Sequence, residues 1–363
     1  MSRLEPVARR VVRQISTERA ARLRRPPRLG PVREADEASA RTVYYLCPDS
    51  DVPRGGIRTI YRHVDALNGA GIRAAVVHGR RGFSCSWFDH QTEVTAAESV
   101  TLTHADVLVV PEFYAGNLHE LPVGLPLVVF NQNAYRTFDA APPALGQAPA
   151  LNLNRVAAML VVSHDNAEYA RYAFPGLRVE PVRNSVNGQI FHPAETMPGR
   201  RIGLMPRRRV ADCRQVLGLL ALRGRLDSWE IVSIDGRGER ETAELLRSCS
   251  IFLSFSEQEG FGMPPAEAMA CGCYVVGFTG LAGREYFDPA TSTPVEEGDV
   301  LAFARAVERA LGEVEDGAQR MRERALTASA RILNEYSPEG QLADLVSFYE
   351  SLGVLPISAR HLR

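Results

Sequence analysis

From residue 42 onward, short apolar runs alternate with amphipathic stretches. Residues 43–47, 74–77, 106–110, 125–130 and 158–163 are of strand length and rich in β-branched side chains. They lack the polar alternation of a half-exposed sheet, so they predict strands buried on both faces, as in a parallel sheet. Residues 57–68 set Ile57, Ile60, Val64 and Leu67 on one helical face. A second series follows, with strands at 202–205, 229–234, 251–256 and 273–278, and an edge strand at 293–295. Helices are expected at 211–223, 239–249, 301–311 (Phe303, Val307 and Leu311 inward) and 341–352. The alternation predicts an α/β protein with two Rossmann-like parallel-sheet domains.

The stretch from Ser254 to Gly272 carries the densest candidate chemistry. Its helix should begin at Pro264, since proline suits a first helical position, and end at Gly272, which accepts a left-handed cap. A loop and a helix start then lie at the carboxyl end of a strand, where open α/β sheets bind ligands. The prolines offer no N–H, so an anion there would use the amides of Phe261, Gly262, Met263 and Ala266. Glu267 is expected in the first helical turn, with its charge favoured by the helix dipole and its two oxygens matched to a vicinal diol such as a ribose. Glu259, expected on the loop, would reach the hydroxyls of a second sugar.

At Glu259-Gly-Phe-Gly through Glu267-Ala-Met-Ala-Cys-Gly272 the sequence resembles the retaining, nucleotide-sugar-dependent glycosyltransferases whose signature is two glutamates separated by seven residues (glycosyltransferase family 4, the "glycosyl transferases group 1" type). The resemblance covers roughly residues 42–352 and implies the GT-B fold, in which two Rossmann-like domains face one another across a cleft. It divides the chain into a basic extension at 1–41, an acceptor domain at 42–195, a nucleotide-sugar domain at 196–338 and a crossing-back helix at 339–363. It implies that Glu259, Arg207 and Arg209 serve the reaction. Glu267, Gly262, Met263, Phe261 and Ser256, with the Gly55-Gly56 turn, would bind the donor. Relatives carry a lysine about five residues after the first arginine. Here that position is Asp212, so Arg208 or Arg209, with Arg209 preferred, is expected to supply the cation. Their acceptor-side histidine is also missing. Asn131, Asn133 and His164 are the candidates for the acceptor side.

Composition narrows the alternatives. A net charge of -1 argues against bulk nucleic-acid binding. All 42 basic residues are arginine, which excludes a Schiff-base lysine and a P-loop lysine. The six cysteines follow no paired framework and are read as reduced, in a cytoplasmic protein. No G-x-G-x-x-G follows the first strand, so a nicotinamide dehydrogenase is not supported. Asp49-Ser-Asp51 has a metal-binding form, but at a strand end before Gly55-Gly56 it is read as shaping that loop, and no metal or other cofactor is expected. Residues 1–41 hold eleven arginines and place Leu4, Val7, Val11 and Ile15 at helical spacing. Packing on the body or on a partner chain, loose order and contact with an anionic membrane are the readings of that segment. The expected partners are a UDP- or GDP-sugar and an acceptor, with a homodimer as a further candidate. A 2-epimerase acting on the sugar nucleotide, or a silent sugar-nucleotide-binding protein, would share the fold.

Overall fold

The structure is a computed structural model that describes residues 24–355 apart from 36–40, 141, 143, 144, 150 and 197. The apolar positions from Leu4 to Ile15 of the expected N-terminal helix lie outside the described residues.

Both expected sheets are present and every pairing within them is parallel. The first contains β1 (Val43–Leu46), β2 (Ala74–His78), β3 (Val94–Ala96), β4 (Val107–Pro111), β5 (Leu127–Asn131), β6 (Val156–Val161) and β7 (Val179–Pro181), in the order β3-β2-β1-β4-β5-β6-β7. The second contains β8 (Gly199–Leu204), β9 (Glu230–Ser233), β10 (Cys249–Glu259), β11 (Tyr274–Leu281) and β12 (Thr293–Val295), in the order β12-β11-β10-β8-β9. The strand order reverses between β1 and β4 in one sheet and between β8 and β10 in the other. The crevice beyond the carboxyl ends of those strands is where such sheets take ligands.

The helices cover the sheets because each presents an apolar stripe. On α1 (Gly55–Gly69) Ile57, Ile60, Val64 and Leu67 are all buried, and on α6 (Val300–Gly317) so are Phe303, Val307 and Leu311. The remaining helices are α2 (His164–Ala173), α3 (Val210–Leu222), α4 (Glu239–Arg247), α5 (Met263–Ala270), α7 (Gln319–Glu335) and α8 (Pro338–Ser351). The hydrophobic pattern did not separate α2 and α7. Their faces are built from alanine and single large side chains such as Met321 and Ile332, which give a weak stripe.

A single apolar cluster runs from Val43 and Phe130 in the first sheet to Phe252 and Val275 in the second. Helix α8 closes it from below, with Leu345 and Tyr349 fully buried. The Tyr349 hydroxyl donates to that of Tyr45 on β1 at 2.7 Å, and the Asp344 carboxylate takes two hydrogen bonds from the Arg183 guanidinium, at 2.7 and 3.0 Å. The last helix thus packs on the first domain. All six cysteines are free and buried.

Candidate functional site

Strand β10 runs three residues further than the apolar run of its sequence and ends at Glu259. Its pairing with β11 shifts register between Ser256 and Glu259, and Gln258 there adopts φ 43°. Glu259 therefore belongs to the strand end rather than to the loop. Gly262, with φ 87°, caps α5, and its carbonyl accepts the Tyr286 hydroxyl at 2.7 Å. Helix α5 starts at Met263 with both prolines in its first turn. The Ala266 N–H returns to the Gly262 carbonyl, which leaves Phe261, Gly262 and Met263 as the amides for an anion.

Glu267 lies in the second turn of α5, not the first, so the helix dipole is not what governs its charge. It is 5% exposed and accepts a hydrogen bond from Arg58 of α1, across the cleft, at 2.8 Å. The same guanidinium reaches Glu239 at the start of α4 at 2.9 Å, and Arg62 also pairs with Glu239. Two arginines of the first domain and two glutamates of the second form one buried cluster. Burial raises the carboxyl pKa of Glu267 above its usual value, and the charge of Arg58 opposes that rise. Arg58 and Glu239 were not singled out from the sequence. The available signal was charge at one-turn spacing, Arg58 and Arg62, on a helix that is otherwise buried along that face.

Beyond β8, the three consecutive arginines have different surroundings. Arg207 is more than half exposed and lies 3.5 Å from Asp235. Arg208 donates to Glu259 at 3.1 Å. Arg209, with φ 44°, turns away from the crevice into its own domain. It donates to the Ser256 carbonyl, Asp212 and Glu297, and its guanidinium lies 4.8 Å from the centre of the Phe278 ring. The cation expected at the crevice from Arg209 is thus held by structural partners, and Arg208 is the neighbour that faces Glu259. Arg209→Ala is expected to lower unfolding stability by about 3 kcal/mol, because it leaves Glu297 and Asp212 without their shared cation. Urea denaturation measures it.

On the first-domain side, α1 begins at Gly55 without a side-chain cap, so the amides of Gly55 and Gly56 have no partner within the helix. The Asn131 side chain is committed internally, to the Thr137 hydroxyl at 2.6 Å and the Asn133 N–H at 3.1 Å. Asn133 reaches across to the Gln258 carbonyl at 2.9 Å and accepts from the Tyr135 N–H. His164 is exposed at the start of α2, where its backbone N–H donates to Glu285 of the second domain at 3.0 Å. Asp49 holds the His78 ring and the Gly79 N–H, and Asp51 holds Ser86. Among the described residues no three metal-ligating side chains converge.

Gln132, between the two asparagines, ties the domains together. Its side-chain amide donates to the Gly56 carbonyl at 3.1 Å. A Cβ placed on Gly260 would fall 1.8 Å from the Gln132 carbonyl oxygen. The Gly55-Gly56 turn, the Gln132 loop and the Gly260-Phe-Gly262 loop therefore meet at one point. Glu259, Arg208, Glu267 and the free amides of Phe261 to Met263 surround it.

Two parallel-sheet domains meeting across such a crevice define the GT-B class. Residues 220–313 match the family model of glycosyl transferases group 1. An alpha-1,6-glucosyltransferase from Actinobacillus pleuropneumoniae serotype 7 is 26% identical, over 75% of this chain and 84% of that protein. Among solved structures, the glycosyltransferase of Rickettsia africae superposes with a TM-score of 0.63 at 14% identity, over 86% of this chain and 98% of that one. Sucrose-phosphate synthase from Thermosynechococcus elongatus gives 0.62 at 14% identity over 86% and 99%. Anabaena HepE, solved with UDP and glucose, gives 0.62 at 13% identity over 86% and 100%. The chain is a GT-B glycosyltransferase whose second domain carries the group 1 match. Among the described residues no helix is long and apolar enough to cross a membrane.

Proposed function

We propose that the chain transfers a sugar from a nucleoside diphosphate sugar to an acceptor hydroxyl, with retention at the anomeric carbon and without a metal ion. The observation that carries this reading is the placement of Glu259 and Glu267 on either side of the amides of Phe261, Gly262 and Met263, at the switch point of the second sheet. Glu267 suits a ribose diol and Glu259 suits sugar hydroxyls. The free amides with Arg207 and Arg208 suit a diphosphate. UDP is the nucleotide to try first, since HepE was solved with it and the glucosyltransferase relative moves glucose.

As the bond to the leaving phosphate stretches, negative charge grows on its oxygens. Preorganised amides and guanidinium groups stabilise that charge more in the transition state than in the ground state. The same cations do the work a divalent metal does elsewhere, and Asp49 and Asp51 are already engaged by His78, Gly79 and Ser86. The departing phosphate takes the acceptor's proton, so no enzymic nucleophile is needed. The test is turnover of UDP-glucose with excess EDTA present, followed by proton NMR of the released or transferred sugar. An initial product with the α configuration, formed at an unchanged rate in EDTA, supports the reading. A β product, or loss of activity in EDTA, contradicts it.

A further inference from the structure

Glu112 follows β4, one of the two strands flanking the switch point of the first sheet, and opens the 3-10 turn Glu112–Glu120. Its carboxylate accepts from two backbone N–H groups, that of Gln132 at 3.2 Å and its own. The Gln132 N–H belongs to the residue whose side chain holds Gly56 and whose carbonyl abuts Gly260. Glu112 is therefore one residue away from the point where the three loops meet. Among the described residues it has no ion-pair partner. The charged group that acts on it is Arg136 of the turn Ala134–Ala140, which also donates to Asp139. Arg136 favours the ionised forms of both Glu112 and Glu259. Burial pushes the Glu112 carboxyl up to about 7.

Several other polar side chains on this side of the crevice already have partners, whereas the exposed His164 meets the second domain through its backbone N–H alone. Asn131 is held by Thr137 and Asn133, Asn133 by Gln258 and Tyr135, and Asp49 by His78 and Gly79. A carboxylate whose only donors are two backbone N–H groups keeps spare lone pairs, and an attacking hydroxyl needs an acceptor for its hydrogen. We propose that Glu112 holds the acceptor's attacking hydroxyl by accepting its hydrogen bond. This rests on the donor reading above. In the transfer step the bond from the anomeric carbon to the phosphate oxygen breaks with its electron pair staying on the phosphate. The acceptor oxygen bonds to that carbon, and its proton passes to the departing phosphate. Glu112 holds that hydrogen while the acceptor docks and releases it to the phosphate oxygen as the new bond forms, so the carboxylate is unchanged at the end.

Water can stand in for the unidentified acceptor, so the test is release of UDP from UDP-glucose by the full chain and by Glu112→Gln. The thermal shift produced by UDP alone serves as the control. The inference expects an equal UDP shift in both proteins, a release rate in the wild type that rises through about pH 7 as the carboxylate ionises, and a flat profile at least about tenfold lower in the variant. Equal rates with the same pH profile would overturn it. So would a variant that loses the UDP shift, which would make Glu112 a structural residue, or a wild type that binds UDP but releases none from UDP-glucose. A wild type with no UDP shift overturns the donor reading first, and this inference with it.

Discussion

Gly260→Ala is expected to reduce transfer by at least about 100-fold while leaving nucleotide binding to the second domain largely intact. The added Cβ would sit 1.8 Å from the Gln132 carbonyl oxygen, and this neighbour is backbone that a rotamer change cannot move. The two loops must separate by more than an ångström, and misplacement on that scale costs about 100-fold in rate, or about 2.7 kcal/mol of barrier. The contact lies between domains, so the second domain itself has no reason to unfold. Steady-state kinetics beside UDP titration separates the two effects. A kcat that falls with an unchanged UDP affinity is the expected pattern. Equal loss of both would mean that Gly260 shapes the nucleotide site instead of the approach of the domains.

Glu267→Ala carries the second large effect. The carboxylate is buried and shares Arg58 with Glu239, so its removal leaves an excess of cations inside the cleft. Breaking such a pair costs about 3–5 kcal/mol, with the lower end expected because Arg58 keeps Glu239. Donor affinity should fall at least about 100-fold, since charge-assisted hydrogen bonds contribute about 1.5–3 kcal/mol each and a diol would make two. Arg58→Ala separates these effects. Arg58 now occupies one of the two Glu267 oxygens, so its loss should lower stability yet leave UDP binding at least as tight. Calorimetric titration of both variants against UDP decides it. Weaker binding by Arg58→Ala would place the guanidinium among the donor's own contacts.

Much of this was legible in the chain because it rests on local pattern. The buried strands announced themselves as β-branched runs, and α5 by two prolines at one end and Gly272, with φ 78°, at the other. The parallel sheets followed from those elements, and the GT-B class from the resemblance at the glutamate motif. The parts that were not legible depend on neighbours distant in sequence. Nothing local to Glu267 indicates an arginine 209 positions away. The motif spacing prefers Arg209 over Arg208 and cannot foresee that Glu297 and Phe278 close around it. Glu112 stands between a strand and a short turn with no motif about it, and only its hydrogen bond to Gln132 brings it to the crevice. Asn131 stands at the strand end where relatives carry a histidine, yet its amide faces inward to Thr137.

The most direct test of the central claim is a thermal-shift series with UDP, GDP and ADP on the wild type beside Glu267→Ala and Arg207→Ala. A ligand that binds only the folded chain raises its melting temperature by mass action, by about 2.7 kcal/mol of added stability at one hundred times its dissociation constant. The account predicts a rise with one diphosphate that Glu267→Ala loses and Arg207→Ala weakens. An unchanged melting temperature with all three, or a rise that both variants retain in full, would contradict the placement of the donor between Glu259 and Glu267.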